Sequence, residues 1–289
     1  MKYTGSHRTG RHTEKRGMSL IPRPALRACC VLVGVLLATC AHAQFSVSFL
    51  PGSSFFPSLR ADGLEHQLSL SKITDDREWI GVVGGSVPVL RYADSLTGVQ
   101  VGTAASVFSR ILKTPGHISV LTLDYRIDIP VEVRTTMGSF QIGYGHVSSH
   151  FADDGVDLLA PSRRNVVKDY LRAGYARAER SLGGTVYGII QWNYHSLPSS
   201  DKHWMVQVGM NSADIPLSGA LSAYVAGDVK IREDVSWGST RSIQLGVSLA
   251  GGASRVLRFA YTWRGGFDER GQFFDSRANL NMLSIGLAW

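Results

Sequence analysis

A chain of 289 residues can hold one large or two ordinary domains, so length leaves the architecture open. Composition narrows it: 31 glycines, 18% charged residues and a mean hydropathy near zero suit residue-by-residue alternation and exclude long apolar blocks. The net charge of +7 is no sign of nucleic-acid binding. Seven of the 30 basic and one of the 23 acidic residues lie in residues 1–43, leaving 23 against 22, without the basic surface that phosphate backbones require.

Residues 1–43 have the layout of a secretory signal peptide. Arg23 and Arg27 precede the apolar run Val31 to Ala38, and Ala41-His42-Ala43 supplies the small residues of a cleavage site before Gln44. Met18 is an alternative start, since residues 1–17 add nothing a signal needs. The apolar run is shorter than the roughly 20 residues of a spanning helix. Cys29, Cys30 and Cys40 all fall in this segment, so a mature chain of residues 44–289 is expected to use no disulfide, zinc-thiolate or cysteine chemistry. Leu37-Ala38-Thr39-Cys40 loosely resembles a lipoprotein cleavage site, with Thr39 out of place in it.

Beyond residue 44 the dominant period is two. Leu121, Leu123, Tyr125, Ile127, Ile129, Val131 and Val133 alternate with Thr122, Asp124, Arg126, Asp128, Pro130, Glu132 and Arg134. The same pattern runs through Ile190, Trp192 and Tyr194; Trp204, Val206 and Val208; Ile243, Leu245 and Val247; and Leu257, Phe259, Tyr261 and Trp263. Runs of about 8 to 12 residues ending in Gly, Pro, Asn, Asp or Ser have the length and punctuation of tilted membrane strands. A soluble sandwich also alternates, so the charged face decides. Asp124, Arg126, Asp128, Arg134, Arg172, Asp228 and Arg258 suit an ion-paired lumen, while the aromatic-rich face suits lipid. The expected fold is an all-β, antiparallel transmembrane barrel of about twelve strands forming one domain, placed in the outer membrane of a Gram-negative-type bacterium. The longest loops read as Phe151 to Val166 and Gly265 to Asn279.

One stretch has the residues for chemistry. If Phe140, Ile142 and Tyr144 face lipid, an unbroken strand puts His146, Ser148 and His150 on the same outer face. Asp169 shares the apolar parity of the next strand. Ser148 then reads as nucleophile, His146 as base and Asp169 as the residue that orients it, with Ser149, His150 and Asn165 as substitutes. A site facing lipid implies acyl-ester hydrolysis, and this His-x-Ser spacing resembles outer-membrane phospholipase and lipid A deacylase families. Asp153, Asp154 and Asp157 offer carboxylates for calcium; no other cofactor is expected. The competing readings are a channel or transporter with a charged lumen, and a structural or surface-interaction barrel.

The last segment places Leu283, Ile285, Leu287 and Trp289 on one face. It resembles the C-terminal strand by which barrel-assembly machinery recognises its clients, so that machinery and outer-membrane lipid are the expected partners.

Several elements together, Val89-Leu90-Arg91-Tyr92, Asp124-Tyr125-Arg126, His146 to Asp154, Arg164-Asn165, Asp169, Trp204 and Gly271-Gln272-Phe273-Phe274, resemble an uncharacterised bacterial family known only as a domain of unknown function. The likeness spans roughly residues 60–289. It implies an exported barrel and no particular activity. Where that family carries Tyr after the Asn, this chain has Val166.

Overall fold

The computed structural model describes residues 45–159, 166–251 and 255–288, with the side chains of residues 157–159 and 182 left out. The expected signal segment, Asn165 and Trp289 lie outside the described residues. In chain order the elements are β1 (Ser46–Phe49), β2 (Leu68–Ile73), β3 (Glu78–Ala93), β4 (Gly98–Thr114), β5 (His117–Thr135), β6 (Gly138–Phe151), α1 (Asp153–Leu159), β7 (Val166–Glu179), β8 (Gly184–Leu197), β9 (Trp204–Ser212), β10 (Ile215–Ser218), β11 (Leu221–Arg232), β12 (Gly238–Ala250), β13 (Val256–Phe267) and β14 (Arg277–Ala288).

Twelve of these strands close into an antiparallel barrel. Each neighbour in the chain pairs with the next, β9 pairs with β11, and the ring shuts where β14 meets β2. The two short strands β1 and β10 lie on the edges of β3 and β11 beyond β2 and β9. Closure leaves no edge that would need a partner chain.

Side-chain alternation turns the barrel inside out relative to a soluble one. Ile142, Val208, Ile243 and Leu283 point outward with half or more of their surface exposed, while Asp124, Asp128, Asp228 and Lys230 point inward and are buried. Leu121 departs from the expected pattern. A register shift opposite Arg110 and Ile111 turns it off the outer face, and it is buried where α1 packs on β5.

The interior holds what period-two reading could not show. Between β1 and β2, residues 50–67 leave the wall and run through the lumen. Phe56 and Leu59 pack on the inward-facing Ala176, Tyr187 and Ile189, each such burial contributing about 1.5–3 kcal/mol. Polar anchors follow along the segment. Glu132 accepts the backbone N–H groups of Phe55 (2.7 Å) and Phe56 (3.1 Å), Asn211 donates to the Ser58 carbonyl, and Arg126 donates to that of Leu64 (2.8 Å). His66 closes the series between Asp128 (2.6 Å) and Ser106 (2.9 Å).

The regions expected to be loops are also structured. Residues 153–159 form α1, and residues 268–276, between β13 and β14, fold into the barrel mouth with Asp268, Arg270 and Gln272 buried. Arg232 donates to the carbonyls of Asp268 (2.8 Å) and Phe274 (2.7 Å), tying this cap to the wall. The buried Lys230 ammonium joins the two fillings. It bonds Asp62 of the lumenal segment and, at 2.5 Å, Glu269 of the cap.

Replacing Lys230 by Met leaves two carboxylates buried with their shared cation gone. We expect a loss of about 3–5 kcal/mol, the usual effect of removing one partner from a buried ion pair. Guanidinium unfolding of the detergent-solubilised protein measures the loss, and trypsin cleavage at Arg60 should accelerate.

Candidate functional site

The outer face of β6, β7 and β8 carries a polar cluster at the end of the barrel opposite Ala288. His146 and Asp169 are cross-strand partners, and Asp169 is the partner of His195 on its other side. His146 Nδ1 lies 2.7 Å from Asp169 Oδ1, His195 Nδ1 lies 2.8 Å from Oδ2, and the Tyr144 hydroxyl donates to Oδ1 at 3.1 Å. An ionised carboxylate only accepts, so both Nδ1 atoms carry the proton, and in the neutral ring each Nε2 is an acceptor.

Ser148 stands two residues along the same outer face, about 7 Å from His146 along the strand. Its hydroxyl has no hydrogen-bond partner among the described residues. His150 follows with its ring set edge-on to Tyr125, 6.0 Å between centroids. The structure thus brings His146 and Asp169 into contact and puts Ser148 beside them without a bond to His146.

Ser149 does not belong to that face. It points into the lumen, fully buried, and donates to Asp124, so it cannot substitute for Ser148. Asp154 is occupied locally, accepting the Val120 N–H at 3.0 Å. Among the described residues no group of three or more His, Cys, Asp or Glu is arranged to hold a metal ion. All seven charged residues expected in the lumen line it, and most are partnered: Arg126 with Asp128 (2.8 Å) and Tyr170 (2.9 Å), Asp228 with Tyr187 (2.7 Å) and Gln207 (2.7 Å), Arg134 over the ring of Phe55.

His195 and Tyr144 were not identifiable from sequence as site residues. Strict alternation after Trp192 turns His195 inward. A bulge restores it to the outer face: Asp169 pairs with His195 but Tyr170 with Asn193, so Tyr194 is the extra residue and the side chain beyond it changes sides. The sequence signal available was only the cluster of Trp192, Tyr194 and His195 itself.

The inward half of the His146–Asp154 stretch serves the cap. Gly271 N–H donates to Asp124 (2.8 Å), and Gln272 donates to the Ser149 carbonyl (3.0 Å). A Cβ on Gly271 would stand 2.3 Å from Ser149 Cβ, so only glycine allows this approach. The His-x-Ser-Ser-His and Gly-Gln-Phe-Phe elements, far apart in sequence, are therefore one docking contact.

Fold and surface together define the class: a closed twelve-stranded barrel with a filled lumen, an apolar exterior and a histidine-carboxylate cluster on that exterior. A family model described as protein of unknown function (DUF1207) matches residues 71–289, and the chain belongs to that family. No curated protein and no solved structure matches the chain. The likeness to phospholipase and lipid A deacylase families rests on spacing alone.

Gly271→Ala should cost about 1–3 kcal/mol through overpacking against Ser149. The fall in unfolding midpoint should be partly reversed by adding Ser149→Gly, which removes the opposing Cβ.

Proposed function

We propose that the chain is an outer-membrane barrel that hydrolyses acyl esters of lipid, with Ser148 as nucleophile, His146 as general base and Asp169 as the residue orienting it. The observation that carries the reading is the 2.7 Å bond from His146 Nδ1 to Asp169, on the outward face that also bears Ser148. It fixes the tautomer a base needs and leaves Nε2 available to a serine hydroxyl two residues along.

In the reaction, His146 Nε2 takes the proton of Ser148 Oγ as the oxygen attacks the ester carbonyl. Asp169 stabilises the imidazolium, which then protonates the departing alcohol. Water, deprotonated by the same nitrogen, releases the fatty acid from Ser148. Binding of Asp169 Oδ2 by His195 and of Oδ1 by Tyr144 holds the carboxylate in place through the cycle.

Membrane placement is supported by the outward apolar belt, with Trp192 and Trp204 (6.4 Å between rings) and Tyr194 beside the cluster, at the depth where amphipathic rings favour a lipid–water boundary. A lipid-facing site would meet ester bonds directly. The channel reading is less favoured because residues 50–67 and 268–276 occupy the lumen and bind its charges.

Detergent-solubilised protein is expected to release fatty acid from phospholipid or lipid A. His146→Ala and Ser148→Ala should each lower the rate at least about a hundredfold, within the range for removing a general base or nucleophile. His195→Gln should lower it less, by about tenfold. Equal rates in wild type and the His146→Ala/Ser148→Ala double variant would refute the assignment.

A further inference from the structure

A cavity of about 550 Å³ lies between the lumenal segment and the wall, toward the Ala288 end. Its origin is written in the strands. Gly143 is paired across the ladder with Pro130, and Gly102 with Pro88, so these inward positions of β3 to β6 carry no long side chain. The ladder between β4 and β5 also skips Gly102 and Thr103, resuming at Ala104, because Pro130 has no N–H to donate.

The acids and the cations lining this space differ in how well they are satisfied. Asp128 is held by Arg126, His66 and Tyr170. Glu132 accepts two backbone N–H groups and the amides of Gln100 and Gln141. Glu65, on the lumenal segment, is half-buried, with the Asp62 carboxylate on one hand and the Arg172 and Arg126 guanidiniums on the other, and it forms no direct ion pair with either arginine.

Arg172 and Arg258 also line the cavity; Asp128 and Glu65 act on Arg172, and Asp214 and Glu65 on Arg258, only through space and without a direct bond. The Nε of each is buried and makes no hydrogen bond, and neither forms an ion pair among the described residues. Arg258 lies 6.0 Å from the centre of the Tyr224 ring, which it shares with a second cation, Arg60, at 4.7 Å. Guanidinium stays charged at any relevant pH, and both side chains are half-buried with Nε enclosed, so an anion entering here would gain charge-assisted hydrogen bonds from both groups. Phe56, Leu59 and Pro130 supply apolar surface beside them.

We propose that this cavity binds an organic oxyanion on a compact apolar body, a carboxylate or phosphate monoester, recognised by Arg172 and Arg258. The site is inside the barrel and independent of the outer cluster.

Isothermal titration of the full-length, detergent-solubilised protein with phenyl phosphate and with benzoate, against benzyl alcohol as the neutral control, tests it. Saturable binding of at least one anion is expected, none of the alcohol, and at least a tenfold weakening in Arg172→Gln/Arg258→Gln. The charge-preserving Arg172→Lys/Arg258→Lys variant, which loses the planar fork, should weaken binding severalfold and serves if the first variant does not fold. The His146→Ala variant should bind as wild type does. Absence of saturable anion binding, equal binding of benzyl alcohol, or unchanged affinity in a folded arginine variant would overturn the proposal.

Discussion

A buried carboxylate or ammonium that faces a closed lumen needs its counterpart there, and neighbouring strands supply only part of it. Asp124, Asp128, Glu132 and Lys230 are all buried, and strand-to-strand pairing alone does not satisfy them. Residues 50–67 and the cap at 268–276 complete the set: backbone N–H groups for Glu132 and Asp124, His66 for Asp128, and the Asp62 and Glu269 carboxylates for Lys230. The filling is thus a consequence of the wall's electrostatics as much as of its apolar patch around Tyr187.

The His146–His150 stretch does two jobs because a strand has two faces. Its even positions form the outer polar cluster with Asp169, and its odd position Ser149 receives the cap. Gly145, also inward, leaves room for the Tyr170 ring, which a Cβ would meet at 2.2 Å, and Tyr170 in turn bonds Asp128. Rigid packing on the inner face therefore sets the register that presents His146 opposite Asp169 on the outer one. A site carried on paired strands is held more tightly than one on a loop, which suits a group that must keep one tautomer and one direction.

The same two faces separate the two sites. The outer cluster sits among Tyr125, Tyr144, Trp192 and Trp204, while the arginine-lined cavity lies inward beside Gly143 and Pro130. Glycine and proline in that sector cost the ladder some hydrogen bonding between β4 and β5 and leave space that bulkier residues would fill.

The amino-acid sequence by itself determined the all-β barrel of about twelve strands, the inward face of charged strand residues such as Asp124, Arg126, Asp128 and Asp228, and the shared parity of His146, Ser148 and Asp169. All of these follow from a period of two, a local property of extended backbone that needs no knowledge of distant contacts. Only the tertiary structure decided that residues 50–67 leave the wall, since Pro-Gly-Ser-rich sequence around two phenylalanines reads equally as an exposed loop. It alone placed Gly271 on Ser149, a contact between segments more than a hundred residues apart. It alone brought His195 to Asp169, because one bulged residue reverses alternation, and where a strand takes up an extra residue is set by its neighbours in the sheet.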